Sequence, residues 1–444
     1  MEQVLIKAAQ LILSLSLLVI LHEFGHFAFA RLFKTRVEKF YLFFDPWFSL
    51  FKVKKGDTEY GVGWLPLGGY VKISGMIDES MDKEALSQEP QPWEFRSKKA
   101  YQRLLIMIGG VLMNFILAFV IYIAILYAWG TEYLPTESAK YGIMVNEAGE
   151  DIGLKNGDKI LSVDGEYIEN FYKILPTVVL DKAHSVQVLR DGQEMDVIIT
   201  DDHLVPLIKG KVEMSPRMPF AVSVRKLLKN SPAALAGLEK GDHFVSVDGQ
   251  TFEFYDQLTS FLRNHKEQEV TFEIVRNDKP QTISATVADD GTLGFYPEFD
   301  KEATAYLVTK TIKYTFAESI PAGIKRGVNT VKDYLKQFKL IFSPKTKAYE
   351  SLGGFISIGN IFPGAWDWYS FWNMTAFLSI ILGVMNLLPI PALDGGHVTF
   401  LLFEMITGKK PGEKFLEYAQ ITGMIILLGL VLFANANDII KLFN

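Results

Sequence analysis

The chain has 444 residues, enough for about three domains. Hydrophobic residues make up 49% and charged residues 22%, which points to membrane segments joined to soluble domains. A net charge of −6 without a long basic block argues against nucleic acid as a partner. The absence of cysteine excludes disulfides and thiolate ligands, so any zinc must be held by histidine and carboxylates.

The first apolar run, Ala8 to Ala30, is interrupted only by His22, Glu23 and His26. A signal peptide fits it poorly. The leading segment is nearly neutral (Glu2 against Lys7), and the region before the A-x-A-like Ala28-Phe29-Ala30 would hold His, Glu and His. It reads instead as a membrane span with ionisable groups inside, which cost several kcal/mol unless paired or functional. Next, GVGWLPLGGYVKISG (61–75) has the alternation and glycines of hairpin strands with an edge available for strand addition. Leu104 to Trp129 is uncharged over 26 positions, as is Trp368 to Leu393, and Tyr418 to Asn437 gives 20 more. Each is long enough to cross a hydrocarbon core of about 30 Å.

Arg31, Lys34, Arg36 and Lys39 follow the first span, Arg96, Lys98, Lys99 and Arg103 precede the second, and Lys409, Lys410 and Lys414 separate the last two. The positive-inside rule places these flanks in the cytoplasm and the 237 residues from Gly130 to Trp366 on the far side. His22 lies nine residues before Arg31, roughly 13 Å from the cytoplasmic edge of its helix.

His22 and His26 in HEFGH are four apart, so a helix presents both imidazoles to one zinc. Glu23 beside them can take a proton from a water that the metal acidifies. Phe29 and Leu32 stand where a soluble H-E-x-x-H-x-x-G-x-x-H zincin carries glycine and its third histidine, so a third ligand must come from elsewhere. His184, His203, His243 and His265 fall in the far-side loop. In MNLLPIPALDGGH (385–397), Pro389 and Pro391 break the third span near the depth of His22, and Asp394 in the unwound segment can complete a His, His, Asp site. By itself Asp-Gly-Gly is an ordinary turn.

HEFGH in the first span with NLLPIPALDGG in the third resembles the site-2 protease family of intramembrane zinc metalloproteases, over essentially the whole chain. The resemblance implies His22, His26 and Asp394 as zinc ligands, Glu23 as the catalytic base, and Asn386 as support for substrate or oxyanion. It implies no ligand role for His397. Residues 61–75, with Gly68 and Gly69, are similar to the family's membrane-associated β-element, which holds a substrate strand. GGVLMN (109–114) is similar to a family G-P-x-x-N element, with Val111 in place of the proline.

GLKNGDKILSVDGEYI (153–168) and GLEKGDHFVSVDGQTF (237–252) agree at 8 of 16 positions, 84 apart, an internal duplication of a small β-rich unit. Both resemble PDZ domains, and SPAALAGLEKGD (231–242) strengthens the likeness for the second. PAGIKRGVNTVKDYLKQFKLIF (321–342) has helical periodicity with cationic positions, suited to a membrane surface. SLGGFISIGNIF (351–362) is a Gly-rich return towards the third span.

The expected architecture is a polytopic α-helical membrane protein with about four transmembrane helices and a membrane-associated β-hairpin, plus two extracytoplasmic β-rich PDZ-like domains. Its expected divisions are 1–130 (first two spans, HEFGH and the β-element), 131–215 and 216–300 (PDZ-like), 301–366 (amphipathic connector at the membrane surface) and 367–444 (last two spans). The expected activity is zinc-dependent peptide hydrolysis inside a bacterial inner membrane. Substrates would be single-span proteins already trimmed by an upstream site-1 protease, by resemblance anti-sigma factors and signal-peptide remnants. Membrane lipid is the other expected partner. The rival readings are an inactive PDZ-bearing scaffold and a metal transporter; the second leaves Glu23 and the duplication unexplained.

Overall fold

The computed structural model describes residues 2–66, 68–76, 89–341, 343 and 348–443. Leu67 and Phe342, inside two of the stretches singled out above, lie outside these. The chain divides into two compact units, one of Met1–Thr131, Lys313–Phe338 and Tyr349–Asn444, the other of Glu132–Ile312 and Lys339–Ala348.

In the first unit, helix α1 (Glu2–Leu32) runs unbroken through the histidine motif. Its buried residues Gln10, Ser14, Leu18, His22, Gly25, His26 and Ala30 recur every three or four positions, so they form a single face. That face packs on α2 (Ala100–Ala128), which is continuous through Val111. Two glycines set the crossing: a Cβ on Gly25 would stand 2.1 Å from the Gly109 carbonyl oxygen. No side chain but hydrogen allows backbones this close.

Between α1 and α2 lies a mixed sheet of β1 (Val37–Leu42), β2 (Phe44–Lys55), β3 (Thr58–Leu65) and β4 (Tyr70–Ile73), in the order β2-β3-β1-β4. This corrects the expected hairpin within 61–75. β3 and β4 do not pair with each other: β1 separates them, parallel to β3 and antiparallel to β4. β1 carries the buried Val37 and Tyr41, and a strand with that much to bury takes the middle. Pro66, which has no N–H, follows β3, and Gly68, at φ 150°, lies shortly before β4. The hairpin partner of β3 is β2. Among the described residues β4 is left at a sheet edge, and β2 at the other edge exposes Trp47, Phe48, Leu50 and Phe51.

Helix α3 (Phe316–Ile341) lies antiparallel along α2: Phe316 meets Tyr127, Gly323 backs onto Ile123, and Gly327 onto Phe119. Helix α4 (Trp368–Asn386) starts at Asp367, whose carboxylate accepts the Ser370 N–H at 2.7 Å. It stops at Asn386, seven residues short of the apolar run, because Pro389 and Pro391 cannot continue it. Asp394 is not in the unwound stretch, as the sequence suggested, but opens the next helix, α5 (Asp394–Thr407). Gly408, at φ 70°, ends α5 in the left-handed cap that glycine favours. The last helix is α6 (Glu413–Phe443). Among the described residues, four helices are long and apolar enough to cross a membrane, lying within α1, α2, α4 and α6.

The second unit holds the duplicated modules. The first has strands β5 (Ile143–Val145), β6 (Lys159–Val163), β7 (Ser185–Arg190), β8 (Gln193–Ile198) and β9 (Met214–Pro216), with sheets β6-β7-β8 and β9-β5. The second has β10 (Val222–Leu227), β11 (His243–Val247), β12 (Glu269–Arg276), β13 (Lys279–Thr286) and β14 (Phe295–Phe299), ordered β13-β12-β11-β10-β14. The repeated Gly-Asp has the same task in each. Fully buried Asp158 accepts two N–H bonds from Arg190, both 2.7 Å, and Asp242 accepts two from Arg276, both 2.6 Å. β14 ends its sheet, with Phe299 against Tyr255 of the helix Tyr255–Asn264.

Candidate active site

The site is built from α1, α2, β4, the end of α4 and the start of α5. One turn apart on the buried face of α1, His22 and His26 bring their Nε2 atoms to 3.3 Å. Asp394 Oδ2 lies 3.2 Å from each. Among the described residues these three form the only group of His, Asp or Glu side chains that could hold a metal, with ligand atoms within 4.8 Å of one another.

Three observations fit this donor set to a metal. Asp394 Oδ2 is buried and, although 3.2 Å from both imidazoles, makes no well-formed hydrogen bond, which is costly unless a cation compensates. The donor set is two imidazoles and a carboxylate, the set open catalytic zinc sites use. Gly110 of α2 leaves the space that the rings fill: a Cβ there would be 2.4 Å from His26 Nε2 and 2.7 Å from His22 Cε1. On its other side, His26 Nδ1 lies 2.9 Å from the Ile106 carbonyl oxygen. Donation from Nδ1–H to that carbonyl fixes the tautomer and leaves the Nε2 lone pair facing inward.

Glu23, Gly68, Gly69 and Asn386, all singled out from sequence, line the same cavity of about 770 Å³ as the three donors. Asn386 Nδ2 is 3.3 Å from His22 Nε2, placed there because α4 unwinds immediately afterwards. Gly69 presses on the motif, since a Cβ would stand 2.6 Å from Val19 Cγ1 and 3.2 Å from Glu23 Cγ. β4 forms one wall with Tyr70, Val71, Lys72 and Ile73, so a sheet edge borders the donors. His397 also lines the cavity and is not in the donor group.

Sequence reasoning missed Gly25, Gly109 and Gly110 as structural conditions of the site. The available signal was a glycine between the two histidines and a glycine pair in the next apolar span. It also left Asn114 without a role, and the structure places that fully buried side chain against His22.

A model of peptidase family M50 matches residues 10–430. The chain is 28% identical to the regulator of sigma E protease of Haemophilus influenzae, covering 97% of this chain and 98% of that one. It is 28% identical to protease RseP of Yersinia pestis over the full length of both. A Campylobacter jejuni protein assigned by name as a zinc metalloprotease is 30% identical, with 98% of this chain and 93% of the relative covered. With its apolar helices, this likeness makes the chain a multi-pass membrane protein of the metalloprotease class. The chain belongs to peptidase family M50.

Proposed function

We propose that the protein hydrolyses peptide bonds within transmembrane segments, using zinc held by His22, His26 and Asp394. The observation that carries this reading is the convergence of those three donors in one cavity with Glu23 and the β4 edge. When bound, zinc supplies a Lewis acid that acidifies water and polarises a peptide carbonyl. Glu23 accepts the proton of the attacking water and delivers it to the leaving amine. The Asn386 amide, beside His22, is placed to donate to the substrate carbonyl oxygen as charge develops on it. The edge of β4, with Gly68 and Gly69 just before it, holds the unwound substrate by strand addition, which fixes an extended backbone across the donors.

The substrates are single-span membrane proteins trimmed beforehand by another protease, since a folded outer domain cannot follow its own helix into a cavity of this size. Anti-sigma factors are the leading class, a reading supported by the name of the Haemophilus influenzae relative; signal-peptide remnants are the second. The site lies near the cytoplasmic face of a bacterial inner membrane and the PDZ-like pair outside, a reading supported by the basic flanks. There the pair acts as a filter against untrimmed substrates.

The test uses purified full-length protein, wild type against Glu23→Gln, with bound zinc and cleavage of a single-span substrate measured together. About one zinc in both, with cleavage only by wild type, is expected. Cleavage surviving in Glu23→Gln overturns the assignment of the base, and zinc binding without cleavage in either favours a scaffold. Equal cleavage of trimmed and untrimmed substrate removes the filter.

A further inference from the structure

Asn114 lies on α2 one turn beyond Gly110 and is completely buried. Its Nδ2 is 3.0 Å from His22 Nδ1, while its Oδ1 is buried with no donor. The two ends of a carboxamide have the same shape, so the surrounding hydrogen bonds decide which is oxygen. With nitrogen towards the ring, His22 must accept at Nδ1 and carry its proton on Nε2. That proton would occupy the lone pair facing His26 and Asp394.

We propose that Asn114 is a positioning residue for the metal site: its Oδ1 accepts the Nδ1–H of His22 and so presents the Nε2 lone pair to the ion. The proposal rests on the zinc-site reading above. In this orientation both histidines are held alike, His26 by the Ile106 carbonyl and His22 by the Asn114 amide. The outer oxygen has no donor among the described residues, so nothing on that side holds the amide this way round, and the needs of His22 decide. The backbone at this point is also fixed: buried Ser379 of α4 donates its hydroxyl to the Asn114 carbonyl at 2.7 Å. An orienting partner of this kind is worth 10–100-fold in metal affinity.

The test measures zinc affinity of full-length protein in detergent by chelator competition, for wild type, Asn114→Ala and Asn114→Asp. Cobalt(II) absorption of the same samples reads the ligand geometry. Asn114→Ala is expected to bind zinc about 10–100-fold more weakly. Asn114→Asp should stay within a few-fold of wild type with an unchanged cobalt spectrum, because a carboxylate accepts the same N–H but cannot donate. Wild-type affinity in Asn114→Ala overturns the proposal, and so does equal loss in both variants, which indicates a donor or a purely structural side chain. A wild-type protein that binds no zinc, or a His22→Ala protein that binds it equally well, refutes the underlying site instead.

Discussion

Gly110 gives the sharpest test of how the site is built. Replacing it with alanine adds one carbon, and that carbon would sit 2.4 Å from His26 Nε2, 2.7 Å from His22 Cε1 and 2.9 Å from His22 Nδ1. Ordinary contact begins at 3.4 Å, so the rings or the helices must separate by about 1 Å. The rings cannot yield freely: His26 is tethered to Ile106, and Gly25 and Gly109 already hold α1 and α2 in contact. Metal–ligand distances tolerate only about 0.2 Å, and a 1 Å misplacement costs on the order of 100-fold in rate. Gly110→Ala is therefore expected to lower kcat/KM by about 100-fold or more, about 2.7 kcal/mol of transition-state stabilisation, and to weaken zinc binding in parallel. The control is Gly429→Ala in α6, where an added Cβ meets nothing within 4 Å and activity should be unchanged. The assay pairs zinc content with cleavage of a single-span substrate. A Gly110→Ala protein with full zinc and wild-type cleavage would refute the idea that this glycine sets the spacing of the donors.

Other substitutions separate the remaining parts. Gly69→Ala should reduce cleavage while leaving zinc content intact, because its Cβ would meet Val19, the Tyr41 carbonyl oxygen and Glu23 Cγ rather than a metal donor; loss of zinc would show that this segment supports the metal instead. Arg190→Ala leaves the buried Asp158 carboxylate without its cationic partner, which should destabilise the first module by about 3–5 kcal/mol. Hydrogen exchange across residues 153–199 should rise there and not in the second module. Asp438→Ala removes the carboxylate that accepts the Ser357 N–H and hydroxyl at the start of the helix Phe355–Asn360. Limited proteolysis should then cut near residues 352–357 faster than in wild type.

The parts of this protein that were legible in sequence are those where chemistry forces a choice of residue. Two histidines and a glutamate in an apolar helix have few explanations, and Pro389 and Pro391 announce a broken span. The Gly-Asp repeat marked both β modules, and its reason, a buried carboxylate clamped by an arginine 32 or 34 residues later, is visible only in three dimensions. The order of the small sheet was not legible. β1 enters between β3 and β4 because Val37 and Tyr41 need cover on both sides, and neither edge strand records that demand. The start of α5 was missed by the same logic: Asp-Gly-Gly reads as a turn, yet Asp394 provides the acidic first turn that a helix N-terminus favours. The glycine contacts escaped because an apolar span containing glycine looks the same whether or not another backbone touches it.

The polar groups inside the apolar helices show where ordinary packing ends and the site begins. A buried polar atom without a partner costs more in lipid than in a wet interior, so each should be answered locally. Most are. Thr375 donates to the Phe371 carbonyl at 2.8 Å, Ser379 to Asn114, and Gln10 Nε2 to the Pro363 carbonyl at 2.9 Å. Arg326 of α3 donates to Asn373 at 2.7 Å and stands 4.9 Å from the centre of the Tyr122 ring. Five buried side-chain atoms remain unanswered among the described residues: Asp394 Oδ2, Asn114 Oδ1, Gln10 Oε1, Ser14 Oγ and Thr35 Oγ1. The first lies 3.2 Å from both imidazole Nε2 atoms, and the second belongs to an amide whose other end faces His22 Nδ1. Under the zinc-site proposal, a cation at Nε2 offsets the cost at Asp394 directly and strengthens the Nδ1–H that the Asn114 amide would accept.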